Sequence, residues 1–217
     1  MDYRLPTTVV PSRYDIRLEP DLEAATFAGE ETIAITVAEP VSEIVLNAAE
    51  LTVQSASVAV ADGAVVPGSA ALETEDERVR LRFPSPIPAG EHRLTIAFTG
   101  TLNDRLRGFY RSTYKDAAGV SHIIAATQFE ATDARRCFPC WDEPALKAVF
   151  AATLVIPEGL VAVSNTRVAG ETPAGPRKKA VAFADTIKMP TYLVAFVVGE
   201  LEASEAVKVG HTGLGVC

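Results

Sequence analysis

Along most of the chain, hydrophobic side chains recur at every second position. Tyr14, Ile16 and Leu18 alternate with Asp15, Arg17 and Glu19, and the run TIAITV sets Ile33, Ile35 and Val37 on one face. RVRLRF alternates Arg78, Arg80 and Arg82 with Val79, Leu81 and Phe83, and RLTIAF repeats the pattern with Leu94, Ile96 and Phe98. A period of two is the mark of a strand with one buried and one wet face. HIIAATQF, AVFAATLVI, LVAVSN, KAVAFAD and YLVAFVVGEL extend the series, and turn signals at Asp62-Gly63, Pro67-Gly68, Pro84 to Gly90 and Ala118-Gly119 punctuate it. The arginine-bearing strand at Arg78 to Phe83 reads as one that guards a sheet edge. No long amphipathic helix is predicted; ATDARRCF gives at most one short helical turn. The simplest account is one all-β domain, with room for a subdivision near residue 100.

Composition changes the picture of function more than of fold. The chain has 217 residues, 48% of them hydrophobic and 22% charged, enough to bury a substantial core. A net charge of −8 argues against nucleic acid or an anionic membrane as the main partner. No run approaches the roughly 20 apolar residues that span a bilayer. The opening MDYRLPTTVVPSRYD lacks a basic segment followed by an apolar one, so no secretory leader is predicted. Three cysteines, an odd number, fit a reducing compartment, and the expected location is cytoplasmic.

The densest polar chemistry lies in TQFEATDARRCFPCWDEPALK, Thr127 to Lys147. Cys137-Phe138-Pro139-Cys140 has the C-x-x-C spacing of a redox pair or half a zinc site. A zinc site needs about four ligands, yet His92, His122, His211 and Cys217 are not paired at ligand spacing. A thioredoxin-like motif belongs in a βαβ context that is not predicted here. Two buried, reduced cysteines are therefore expected. Arg135 and Arg136 beside Asp142 and Glu143 could form a catalytic cluster, but such sets more often pin an irregular loop to a sheet. Trp141 reads as a packing anchor, with Pro139 and Pro144 fixing the backbone on either side of it. Gln128 and Glu130 close a strand and share one face, while Phe129 points to the other. They form either a polar floor for a positively charged ligand or an ordinary solvated strand end, and pattern alone favours the solvated end.

TQFEATDARRCFPCWDEPALKAVF resembles the signature of the N-terminal domain of zinc aminopeptidases, the family of puromycin-sensitive aminopeptidase and aminopeptidase N. LPTTVVPSRYDIRLEPDLEAATFAGEETIAITV is similar to that family's opening strands, LRGFYRSTY to its glycine-aromatic segment, and KMPTYLVAFVVGELE to its closing strand. The matching segments run in order over about residues 5 to 202. The resemblance implies a saddle-shaped, largely antiparallel, β-sandwich-like domain over residues 1–202, followed by an atypical tail at 203–217. It implies that Glu130 binds the free α-ammonium group of a peptide N-terminus and that Gln128 lines the pocket for the first residue. It also implies zinc in the full-length enzyme and a catalytic domain as docking partner. The family's G-A-M-E-N loop, H-E-x-x-H helix and distal zinc-ligand glutamate do not occur in these residues. This chain alone is therefore expected to hold no zinc and to catalyse nothing. The alternative is a stand-alone, non-enzymatic β-sandwich module for binding or interaction.

Overall fold

The computed structural model describes residues 4–60, 63–202, 207–209 and 212–214. Fourteen strands make up the body of the molecule. They are β1 (Val9–Asp21), β2 (Thr26–Val37), β3 (Val41–Asn47), β4 (Leu51–Ala59), β5 (Val65–Glu73), β6 (Arg78–Ile87) and β7 (Gly90–Thr101). They continue as β8 (Gly108–Lys115), β9 (Ser121–Gln128), β10 (Val149–Pro157), β11 (Val161–Ser164), β12 (Val168–Pro173), β13 (Lys178–Phe183) and β14 (Phe196–Gly199). A further hairpin pairs β15 (Val207–Val209) with β16 (Thr212–Leu214); the rest of the expected atypical tail, with His211 and Cys217, lies outside the described residues.

Ten strands form one sheet in the order β12-β13-β10-β1-β2-β7-β4-β5-β6-β3, and four form a second in the order β11-β14-β9-β8. Pairing is antiparallel except between β1 and β10. The all-β, sandwich-like fold is thus present. The large sheet does not divide near residue 100, because β10, β12 and β13 extend the same sheet as β1 to β7. Among the described residues no helix is long and apolar enough to cross a membrane.

Alternation places the core, and one bulge re-phases it. In β1, Val9 and Pro11 face inward at odd positions, whereas Tyr14, Ile16, Leu18 and Pro20 do so at even ones. The switch falls where the β1–β2 register slips between Pro11 and Arg13, as an inserted residue must cause when side-chain direction has period two. The second sheet packs on the first through aromatic rings: Phe109 of β8, which lies 6.4 Å from Phe196 of β14 within its own sheet, reaches Phe27 of β2 at 5.3 Å. Across β2 and β7, Gly29 stands opposite Phe98, whose ring covers it so closely that a Cβ there would lie 2.4 Å from ring carbon.

Three sequence expectations are corrected. The strand carrying Arg78, Arg80 and Arg82 does not guard an edge: β6 lies between β5 and β3. Its charges are matched by both neighbours, with Arg80 bonded to Glu73 of β5 and Glu43 of β3, and Arg82 to Glu43 at 3.0 Å. Pro67-Gly68 is not a turn but lies inside β5, paired with Ser57 and Ala56. Residues Pro84 to Ile87 continue β6 rather than beginning the turn to β7.

Candidate functional site

The Thr127–Lys147 segment connects β9 of the small sheet to β10 of the large one. Gln128 is the last residue of β9, exposed and paired across the strands with Gly108; Phe129 is buried and Glu130 exposed. The alternation expected for these three residues is therefore the one observed. Phe129 ties the strand end to the core through an aromatic chain. Its ring meets Phe138 edge-on at 6.0 Å, Phe138 meets Tyr14 and Phe150 at 6.1 and 6.4 Å, and Tyr14 stacks on Phe150 at 4.9 Å. After Glu130, joined to Ala131 by a cis peptide bond, a single 3₁₀ turn at Ala134–Arg136 is the only helical element of the segment.

Every charged group that the sequence marked for a structural role has a partner. Arg135 donates from Nε to Asp142 Oδ2 at 3.0 Å and from Nη1 to Glu77 Oε2 at 3.2 Å. Asp142, 4% exposed, also accepts from Thr191 Oγ1 at 2.6 Å, and its N–H donates to Asn47 Oδ1 at 3.2 Å. Glu143 accepts the Leu5 backbone N–H at 2.6 Å. Arg136 binds Asp133, Glu77 and Glu50 with its three guanidinium nitrogens. Burial works against the Arg136 charge, and the carboxylates at Asp133, Glu77 and Glu50 more than offset it, so its pKa is raised. Asn47 and Cys140 exchange backbone hydrogen bonds at 2.8 and 3.0 Å, and Ala49 N–H bonds the Arg135 carbonyl at 2.9 Å, stitching the loop to the end of β3. This set is a brace rather than an acid–base pair.

Cys137 and Cys140 are buried free thiols, and burial pushes both well above the ordinary thiol range. A nucleophilic or redox cysteine needs the opposite shift and solvent access. Trp141 is fully buried and its backbone N–H donates to the Tyr14 hydroxyl at 3.2 Å, so it anchors the loop as expected. Among the described residues, no group of three or more His, Cys, Asp or Glu side chains is placed to hold a metal. His92 is buried with Nε2 2.8 Å from the Pro88 carbonyl, and His122 lies between Asp116 and Glu200.

Glu130 differs from its neighbours. Its carboxylate has no hydrogen bond or ion pair among the described residues, and Gln128 reaches only the Glu130 carbonyl, at 3.4 Å. A cleft of about 660 Å³ opens beside the brace, lined by Asn47, Glu77, Thr132, Arg135, Asp142 and Glu143. Neither Gln128 nor Glu130 lines it. The structure thus brings the two expected residues together, both exposed and outside that cleft.

Several residues that matter here carry no signal in the local sequence. Glu50, Glu77, Asn47 and Thr191 join the brace from remote turns and strand ends, where a polar residue looks like any other. Glu31 did carry one: stepping back by two from Ile35 and Ile33 lands on it, inside the core.

The sequence profile of the peptidase M1 N-terminal domain matches residues 10–193. The chain is 52% identical over 196 residues to aminopeptidase M1-B of Oryza sativa subsp. japonica, covering 90% of this chain and 22% of that protein. It is 44% identical over 204 residues to the puromycin-sensitive aminopeptidase of Caenorhabditis elegans, covering 92% and 21%. Against aminopeptidase N of Acetobacter pasteurianus the identity is 38% over 200 residues, covering 92% and 55%. The chain thus spans under a quarter of the plant and nematode proteins and about half of the bacterial one. With the profile covering most of its length and its β-sandwich in place, the chain belongs to the peptidase M1 N-terminal domain family.

Proposed function

We propose that residues 1–202 form the substrate-anchoring domain of a zinc aminopeptidase, in which Glu130 binds the α-ammonium group of a peptide N-terminus and Gln128 lines the subsite of the first residue. The observation that carries this reading is the contrast within one segment. Asp133, Arg135, Arg136, Asp142 and Glu143 all have partners in the chain, while the Glu130 carboxylate has none and faces solvent. A carboxylate and an ammonium group form a charge-assisted hydrogen bond, roughly twice as strong as a neutral one. Because both side chains are exposed in this chain, a second body has to enclose the site; the catalytic domain of a longer chain is the partner proposed.

Zinc in such an enzyme supplies a Lewis acid and a nucleophilic water at neutral pH. The described residues do not fit that role, since none cluster as metal ligands, so no hydrolytic step is assigned to them. The buried free thiols of Cys137 and Cys140 support a reducing compartment, and we place the enzyme in the cytoplasm. The net charge of −8 supports a peptide rather than nucleic acid as ligand.

The test is Glu130→Ala in an aminopeptidase carrying this domain. Removing one partner of a desolvated charge pair costs about 2–5 kcal/mol, so kcat/KM should fall roughly thirty-fold or more. Gln128→Ala should cost less, since a neutral hydrogen bond contributes about 0.5–1.5 kcal/mol. Melting of the 217-residue chain should be unaltered by Glu130→Ala. A large drop in melting temperature together with unchanged kinetics would put Glu130 in the scaffold.

A further inference from the structure

Glu130 stands in a turn that the chain closes on itself. The Asp133 N–H donates to the Phe129 carbonyl at 2.8 Å, so residues 129–133 form a loop with Glu130 near its crown. The Asp133 carboxylate is held in turn by Arg136 Nε at 2.7 Å. The other two nitrogens of that guanidinium reach Glu50 at 2.8 Å and Glu77, and the side chain is only 9% exposed. The Arg136 stem also lies on the start of β8: a Cβ added to Gly108 would sit 2.7 Å from Arg136 Cβ. Gly108 is the residue paired across the strands with Gln128. One side chain therefore touches both the turn that presents Glu130 and the strand residue that pairs with Gln128.

The backbone is bent to make this possible. Gly108 has φ +64°, a left-handed conformation that glycine adopts without penalty. Glu50 and Glu77 adopt the same region, with φ of 58° and 51°, where a glutamate is strained and a glycine would relax the turn. Each of those two strained residues sends its carboxylate to Arg136. The carboxylates are present at a conformational cost, and the arginine is what they share.

We propose that Arg136 is a positioning residue for substrate anchoring: clamped by Glu50 and Glu77, it fixes Asp133 and Gly108 and so sets where Glu130 and Gln128 stand. The proposal rests on the reading of Glu130 as the ammonium anchor. Lysine cannot replace arginine in this role, because a single ammonium lacks the planar fork that meets three carboxylates at fixed angles. Misplacing a binding group by about 1 Å is enough to cost a large factor in rate, on the order of a hundredfold.

A double-mutant cycle in an aminopeptidase carrying this domain tests it, with melting temperatures measured alongside and kinetics run well below them. Arg136→Met should lower kcat/KM about tenfold in the otherwise native enzyme, yet by no more than about twofold in the Glu130→Ala background. Arg136→Lys should recover only part of the loss. Because Arg136→Met removes one partner from each of three carboxylates, leaving Glu77 with Arg135 and Glu50 with Arg107, Asp133→Asn, which weakens only the link to the turn, is run through the same cycle and should show the same non-additivity. Additive losses, or full recovery by lysine, would overturn the positioning role while leaving the anchor intact. Glu130→Ala without kinetic effect would remove the anchor reading itself, and the positioning role with it.

Discussion

Glu31 should make the stability of this protein fall as pH rises, and its removal should abolish that slope. The side chain lies on the inward face of β2, opposite Ile16 on β1 and Ile96 on β7, and is 1% exposed. Neither carboxyl oxygen has a hydrogen-bond partner, and no cation pairs with it among the described residues. The titratable groups that feel its charge are Tyr14 on β1 and Cys137 and Cys140 on the β9–β10 segment, all of which would be anions if ionised. Burial therefore pushes its pKa well above the usual carboxylate range, and the group is carried as a neutral acid.

The sign follows from counting protons. In the unfolded chain Glu31 ionises near its ordinary value of 4.5. Above that pH the folded state holds one proton more than the unfolded state, so stability declines by about 1.4 kcal/mol per pH unit until the folded-state pKa is reached. The contribution is full below pH 4.5 and is lost as pH rises. Glu31→Leu removes the carboxyl and keeps the apolar row of β2. It should stabilise by about 1–3 kcal/mol even at low pH, because an unpartnered buried polar group disappears. Its advantage over the native chain should then grow by about 1.4 kcal/mol for each pH unit. Urea denaturation at several values between pH 5 and 8, followed by the fluorescence of Trp141, the single tryptophan, measures this directly. Groups common to both proteins cancel in the difference. A difference that stays flat across the range, or shrinks with rising pH, would show that Glu31 is ionised and solvated in the folded protein.

Two further outcomes test the scaffold beneath the proposed anchor. Phe129→Ala should destabilise the chain by about 3–5 kcal/mol, because it empties one end of the aromatic chain through Phe138; an unchanged urea midpoint would contradict that packing. Peptide mapping after alkylation should find Cys137 and Cys140 protected in the native protein and fully reactive in denaturant without reductant, and a mapped disulfide between them would revive the redox alternative.

How much of this was legible in the sequence depended on how cleanly burial alternates. β1, β2, β6 and β7 each have one buried face, and their apolar positions show it. β5 and β12 have scarcely any buried positions, so no pattern marks them as strands, and Pro67-Gly68 within β5 mimics a turn. The edge reading of β6 failed because charge on a strand face signals equally well an edge in water or a ladder of partners on both sides. Only the register with Glu43 and Glu73 distinguishes them. In the candidate site, Gln128, Phe129 and Glu130 were readable because their alternation is local. The brace was readable as a kind of network but not in its wiring: Arg136 finds Glu50 and Glu77 across 86 and 59 residues of chain, a distance that local pattern does not encode.

The same geometry bears on where selectivity for a free amine could arise. In this chain the Glu130 carboxylate stands in water, where an ion pair contributes only about 0–1 kcal/mol and distinguishes little between a charged and a blocked peptide end. Covered by a second body, the carboxylate loses its solvent, and a ligand without a positive charge would leave it buried and unpaired at about 3–5 kcal/mol. If Glu130 is the anchor, discrimination belongs to the closed cleft and not to the domain. What the domain has to supply in advance is placement, since a carboxylate free to swing toward water would escape that penalty. The burial of Phe129 on one side of Glu130 and the clamping of Asp133 by Arg136 on the other restrict that escape. On the proposed reading of Glu130, the three carboxylates around one arginine supply rigidity to a site that a second body would complete.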